Sequence, residues 1–320
     1  RHKDEVRKAK SKKDAVVDVV KKQNKDIGKY LSEVIENDAE LFAISKYPDN
    51  KKTDDVEMTW IQCDIFHYEQ VVAAMNQVDI AVFFIDPTKN SAKITQSSAR
   101  DLTLIAADNF GRAAAINQVK KVIYIPGSRY DNETIERLGA YGTTVETTNL
   151  VFKRSLVNVE LQVSKYDDVR STMKVVLPKG WTLKNVVNHF IAWIGYTKGT
   201  FVKTEKSHDQ FKIYIKNKVR PLAVFKIEET ADGIITLILL SGSLVKKYTV
   251  NQGKLEFRLI KESAVVYIHL YDYIPRLFWP IYYFIQAPMQ KMMIHGFEVD
   301  CRIKDFQSRL KSGENMKYTK

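Results

Sequence analysis

Three hundred and twenty residues, 45% of them apolar, are enough to fill the cores of two domains of ordinary size and exclude a disordered chain. Cys63 and Cys301 are the only cysteines, far apart and in no metal-ligand spacing, which excludes a disulfide framework or a zinc site and favours a reducing cytoplasm. The formal charge is +12, and residues 1–30 carry eleven Lys or Arg against five Asp or Glu, a net of +6.

That end reads as a basic arm, residues 1–13. Such an arm binds polyphosphate, nucleic acid or an anionic membrane surface, or is a solvated terminus with no dedicated partner. No signal peptide is visible, and Arg1 in place of Met suggests that the true beginning is missing.

Asp14–Val20 is β-branched and short, and by periodicity alone it fits a strand or a helix. Position favours a first strand, because Ile27–Ile35 reads as a helix and Glu40–Ser45 as the next strand. Val56–Cys63 alternates as a third strand and Tyr68–Met75 is a short helix. Ile80–Ile85 and Val122–Ile125 are continuously apolar, as strands buried on both faces of a parallel sheet are. Between them Leu102, Ile105, Ala106, Asn109, Ala113 and Ile116 recur at spacings of three or four, the stripe of a long crossover helix. A helix over Asn132–Ala140 and a strand over Thr144–Phe152 follow. This alternation predicts an α/β, doubly wound, parallel-sheet Rossmann-like domain over residues 14–160, with ligands bound beyond the carboxyl ends of its strands.

From 165 to 306 the character changes to α+β. Arg170–Leu177 is a strand, and Leu183, Val186, Val187, Phe190, Ile191 and Ile194 mark an amphipathic helix. Strands over 199–203, 211–215, 223–227, 234–240, 254–260 and 264–272 make an antiparallel meander. A last helix runs from about Leu277 towards Phe306, bent or broken near Pro280 and Pro288, and 307–320 is a tail. The longest apolar run, Leu277–Pro288, is too short to cross a bilayer.

Dinucleotide folds place glycines between the first strand and helix, so that the backbone can approach a pyrophosphate. Here Lys22 and Lys25 stand where the first two glycines are expected, and Gly28 where the third is. Lysine neutralises phosphate but obstructs that approach. Lys46, after the second strand, suits the 2′-phosphate of NADP better than a free ribose hydroxyl. Asp64, after the third strand, suits an adenine amine, with Ile65 beside it. Asp86 ends the fourth strand at the same edge. For each of these the alternative is an ordinary loop residue.

Ser128 and Tyr130 occupy the loop in which reductases of this architecture hold a catalytic serine and tyrosine. The lysine four residues on from the tyrosine is missing, since position 134 is Thr. In the second domain Tyr267, His269 and Tyr271 share one face of a strand. With Trp279 and Tyr282 on the last helix they would line an aromatic cavity for an apolar or flat small molecule, unless they are simply core.

Ile27–Leu31, Cys63–Phe66, Val78–Phe84, Ala106–Asn109 and Val119–Ser128 resemble the atypical short-chain dehydrogenase/reductase superfamily, in its NmrA-like branch. Leu177–Trp181, Gly253–Arg258 and Ile274–Tyr282 resemble the START-like helix-grip domain attached to some bacterial members of that branch. The two resemblances cover most of residues 14–306 and imply NADP-dependent oxidoreduction. The chain departs from the pattern at the glycines, at the Tyr/Lys pair and in the substrate lobe, which is absent between about Phe152 and Tyr166. The expectation is therefore a catalytically impaired, cytoplasmic and peripherally membrane-associated sensor or scaffold. It would bind an NADP-type nucleotide, an apolar ligand, or both. The alternative is an active NADP-dependent reductase of a small carbonyl or quinone, with Ser128 or Tyr130 polarising the carbonyl. A nucleic-acid-binding role rests on charge alone.

Overall fold

The computed structural model describes residues 15–18, 39–48, 58–84, 94–148, 168–197, 202–243, 252–275 and 287–314. The chain divides into two compact units, Arg1–Ser91 with Ser98–Gln162, and Ala92–Ser97 with Val163–Lys320.

The first unit carries β1 (Ala15–Asp18), β2 (Leu41–Ser45), β3 (Thr59–Gln62), β4 (Ile80–Phe83), β6 (Lys121–Tyr124) and β7 (Thr144–Thr147), while β5 (Ile94–Gln96) belongs to the second unit. The first unit's strands lie in the order β3-β2-β1-β4-β6-β7, every pair parallel. This is a Rossmann-like order, in which the chain turns outward on both sides of β1. The ambiguity over residues 14–20 resolves to a strand, because β1 pairs with both β2 and β4 at the centre of the sheet. All four residues of β4 are buried, as their unbroken apolar character requires. The expected helix at Ile27–Ile35 lies outside the described residues.

Among the described residues three helices accompany the sheet: α1 (Tyr68–Ala74), α2 (Ala99–Ile116) and α3 (Asp131–Gly139). Ser98 caps α2, its Oγ accepting from the Asp101 amide at 3.0 Å and donating to Asp101 Oδ2 at 2.6 Å. The structure corrects the one-faced reading of α2, since Asp101–Ala114 is buried without exception and Ile116 is exposed. A helix buried all round must pair its polar side chains. Asp108 accepts from Arg112 Nε at 2.9 Å and from the Tyr141 hydroxyl at 2.8 Å, and Asn117 Nδ2 donates to the Val72 carbonyl at 2.9 Å.

The second unit holds an eight-stranded mixed sheet. Its strands are β8 (Val169–Val176), β9 (Val202–Lys206), β10 (Gln210–Ile215), β11 (Pro221–Ala231), β12 (Ile234–Ser241), β13 (Lys254–Leu259) and β14 (Val265–Tyr273), together with β5. The order is β5-β8-β14-β13-β12-β11-β10-β9, antiparallel throughout except that β5 runs parallel to β8. β9 to β14 form the expected meander. β5, which the sequence did not announce, extends it at one edge.

Among the described residues helices α4 (Leu183–Thr197) and α5 (Ala287–Lys311) also belong to the unit. Val186, Val187, Phe190, Trp193 and Ile194 of α4 share one core with Phe297 and Cys301 of α5 and with Ile235, Leu237, Phe257, Val266 and Ile268 of the sheet. The Phe297 ring meets Phe190 and Trp193 edge-on, with centroids 5.1 and 5.5 Å apart. Two expectations for the last helix are corrected. Pro288 lies in the first turn of α5, where its missing amide costs no hydrogen bond, so it does not break the helix. The helix also runs past Phe306 to Lys311. Residues 276–286 lie outside the described residues. No helix among the described residues is long and apolar enough to cross a membrane.

Candidate functional site

Two of the expected cofactor residues come together at the carboxyl ends of adjacent strands. β2 ends at Ser45 and β3 at Gln62, and the Cys63 amide continues the ladder by donating to the Ser45 carbonyl at 2.8 Å. That register sets Lys46 beside Asp64, with Lys46 Nζ 3.2 Å from Asp64 Oδ2. Lys46 is 16% exposed and Asp64 6%, so the pair is largely screened from water and its geometry is held on both sides. Asp64 Oδ1 accepts from the Phe66 amide at 3.1 Å, and the Asp64 amide donates to Gln70 Oε1 at 2.8 Å. Lys46 Nζ also lies 5.8 Å from the centre of the Tyr47 ring. Tyr47, which sequence reasoning passed over, is 37% exposed and offers a flat apolar face beside the ammonium.

Ile65 is buried next to Asp64, and its carbonyl accepts from Asn109 Nδ2 of α2 at 2.9 Å. Asn109 is wholly buried, and its Oδ1 has no hydrogen-bond partner among the described residues. This anchor ties the β3 loop to α2. The sequence signalled it only as one position of a helical stripe. Lys22, Lys25, Gly28 and Asp86 lie outside the described residues.

The loop after β6 is organised by Asp131, the first residue of α3. Its carboxylate accepts from the Tyr124 hydroxyl at 2.5 Å, from the Ser128 amide at 3.0 Å, and from the Gly127 amide at 3.2 Å to Oδ1 and 3.1 Å to Oδ2. Successive amides converging on one point make an anion nest, and here the protein's own carboxylate fills it. Gly127 adopts φ 139°, a conformation that side chains oppose, and this lets its amide turn inward. Ser128 Oγ accepts from the Tyr130 amide at 3.2 Å, and the Tyr130 carbonyl accepts from Thr134 Oγ1 at 2.7 Å. Ser128 and Tyr130 are thus neighbours in one turn. Position 134, where a reductase lysine would stand, is a buried threonine that closes the first turn of α3.

In the second unit Tyr267, His269 and Tyr271 are all buried, His269 completely. They lie on the face of β14 opposite to Val266 and Ile268, which meet α4 and α5. Their cross-strand neighbours are charged or polar: Tyr267 lies between Lys174 and Arg258, and His269 between Thr172 and Glu256. Arg258 Nε donates to Glu256 Oε1 at 2.8 Å, and the His269 and Tyr271 rings stack at 4.7 Å. The described part of α5 therefore packs on the other face from these three residues. Trp279 and Tyr282 lie outside the described residues. The polar row was legible in Lys254, Glu256 and Arg258, which alternate with Leu255, Phe257 and Leu259. Among the described residues no group of three His, Cys, Asp or Glu is arranged to hold a metal ion.

No family model matches the chain. Among solved structures it is similar to a nucleoside-diphosphate-sugar epimerase from Staphylococcus aureus, with 16% identity, 42% of this chain and 49% of that one covered, and a TM-score of 0.33. It is similar to the Bordetella bronchiseptica enzyme WbmH in complex with NAD+, with 14% identity, coverages of 42% and 54%, and a TM-score of 0.34. A triphenylmethane reductase from Citrobacter gives 16% identity, coverages of 42% and 47%, and a TM-score of 0.33. The chain thus spans about half the length of these structures. Among curated proteins, auxiliary protein GraX of Staphylococcus aureus is 99% identical over 294 residues, which are 92% of this chain and 96% of that protein. An identity of that degree over nearly the whole of both chains shows the family: the chain belongs to the GraX auxiliary proteins.

Proposed function

We propose that the chain is a nucleotide-binding auxiliary protein, a reductase-like fold that binds a nicotinamide cofactor of the NADP type and acts by binding and presentation rather than by turnover. The observation that carries this reading is the Lys46–Asp64 pair at the carboxyl ends of β2 and β3, beside the crevice where such sheets take ligands. Lys46 would meet a 2′-phosphate. Asp64 would accept from an adenine amine, with the Tyr47 ring beneath the base. These residues fit the cofactor.

Hydride chemistry is a group transfer that the nicotinamide supplies when bound. The chain's own residues supply less towards it. Asp131 fills the nest formed by Gly127 and Ser128, and Thr134 replaces the lysine that would assist Tyr130. The curated relative's description as an auxiliary protein agrees with a binding role. We read the second unit, with its meander gripping α4 and α5, as the START-like helix-grip domain at 165–306, and the protein as cytoplasmic. The helix face of that sheet is filled by interlocking rings, so an apolar ligand would be taken outside the described part of that core.

Calorimetric titration with NADPH and NADH tests the reading. NADPH should bind more tightly, and Lys46→Met should erase the preference, a loss of about tenfold or more for one charge-assisted contact. Methionine keeps the length of the stem without setting a second carboxylate against Asp64, as Lys46→Glu would. Heat from neither nucleotide would make the first unit a scaffold, and oxidation of NADPH with quinones or aldehydes would restore the reductase.

A further inference from the structure

We infer that the β10–β11 hairpin of the second unit is a docking element for an anionic lipid surface. Its turn reads Ile215-Lys-Asn-Lys-Val-Arg-Pro221, and every side chain from 215 to 220 is exposed. Between Gln210 and Ile227 there are five Lys or Arg and no Asp or Glu. Of these five Lys226 is neutralised locally by Glu228 at 2.7 Å, as Lys203 on β9 is by Glu205 at 2.6 Å. Lys218 and Arg220 have no carboxylate partner among the described residues, so the tip presents uncompensated charge.

Apolar side chains stand among those cations. Val219 is 94% exposed, Ile215 43%, and Leu240 at the neighbouring end of β12 38%. The Ser243 amide donates to the Pro221 carbonyl at 3.1 Å, which holds the end of β12 against the start of β11. Tyr196, 89% exposed, ends α4 on the same edge: its neighbour Gly195 abuts Thr204 of β9, and β9 pairs with β10 so that Val202 faces Ile215. Asn217 takes the left-handed conformation at φ 66° that a tight turn needs, so the tip is ordered by its own backbone. A rigid tip of cations around a protruding valine, with a tyrosine to one side, fits a headgroup layer. The charges meet lipid phosphates, the valine enters the acyl boundary, and the phenol sits at headgroup depth. A nucleic-acid backbone would satisfy the cations but leave Val219 in water, and this favours the lipid.

The test is co-sedimentation of the full chain with vesicles of phosphatidylcholine containing about a third phosphatidylglycerol, against phosphatidylcholine alone, over a salt series. The unchanged chain should pellet with the anionic vesicles and be released by salt. Lys218→Ala with Arg220→Ala should weaken partition by roughly twenty-five-fold, about five-fold for each cation removed. Val219→Asp should weaken it at every salt concentration. All three positions are exposed, so the fold should survive, which circular dichroism would verify. A control neutralises Lys8, Lys10 and Lys12 of the arm. The proposal is overturned if the unchanged chain does not pellet, if it pellets equally with neutral vesicles, or if the arm variant loses binding while the hairpin variant keeps it. Loss of DNA retention in the hairpin variant, with no vesicle binding by the unchanged chain, would assign the hairpin to nucleic acid instead.

Discussion

Asp131 shows how one side chain sets the chemistry of a loop. A carboxylate in the first turn of a helix is favoured by the helix dipole, and this one also gathers two backbone amides and the Tyr124 phenol. The donors that would otherwise steady an oxyanion at the end of β6 are therefore already spoken for, and Ser128 and Tyr130 are held in a turn of the same construction. Cys301 is committed inward in a different way. Its thiol is fully buried in the core shared by α4, α5 and the sheet, and burial, reinforced by the neighbouring Asp300, pushes its pKa from the ordinary 9.0 up to about 12. The native protein should therefore show no fast-reacting thiol towards a disulfide reagent at pH 8, since Cys63 is buried too, and both cysteines should react once guanidinium is added. The sign of the linked pH dependence follows from the same shift. Below pH 9 the thiol is protonated in both states and contributes no slope; above it the unfolded chain ionises first, so stability falls as pH rises from about 9 towards 12. A Cys301 thiol that reacts in the native state at pH 8, read in a Cys63→Ala background, would show that α5 lifts from the sheet.

At the scale of elements, what the sequence revealed and what it hid follow from the range of the forces involved. The strand ends that place Lys46 and Asp64 were legible because the apolar run Leu41–Ile44 marks a buried parallel strand, the alternation over Val56–Cys63 marks one at the edge of the sheet, and the polar residues after them mark the crevice. Asn109 and Asp131 were not legible as anchors, because their partners Ile65 and Tyr124 belong to other elements. β5 has only Ile94, Thr95 and Gln96, too few for any period to show, and it exists because β8 offers a free edge. α2 announced one apolar face, but its burial on all sides depends on close approach to α3 at Gly111. A Cβ there would come within 2.7 Å of the Leu138 carbonyl oxygen and 2.9 Å of the Arg137 carbonyl oxygen. Gly111→Ala gains about 1 kcal/mol of helix propensity, yet it must push α3 away at a cost of about 1–3 kcal/mol. The clash involves rigid backbone, so the cost should win. Urea unfolding should show a net loss for Gly111→Ala, while the same change at Gly139, where the nearest atom is a valine methyl at 3.4 Å, should be close to neutral. Equal effects at the two sites would remove the close approach as the reason for the glycine.

At the scale of the whole molecule, the chain passes between its two units three times, because Ala92–Ser97 leaves the first unit's sequence to join the second. Within that excursion Ile94, Thr95 and Gln96 pair with Val169, Arg170 and Ser171 of β8, and the Ser97 and Thr172 hydroxyls are hydrogen-bonded. A boundary drawn at a single point after the first sheet, which the change of character near residue 165 invites, would cut β8 from its neighbour. The fragment 163–320 keeps its meander, both helices and the core around Phe190, Phe257 and Phe297, so it should fold. It would nevertheless expose the edge of β8, with unpaired amides and carbonyls where β5 had been, and an open sheet edge is a template for pairing with another chain. The expected result is a folded fragment that melts several degrees below the corresponding transition of the full chain, about 1–2 kcal/mol for a three-residue strand, and self-associates as its concentration rises. Adding a peptide that spans 92–97 should suppress the association. A fragment as stable and as monomeric as the full chain would mean that β5 is a passenger on the sheet, and that the second unit is complete without the residues it takes from the first half of the chain.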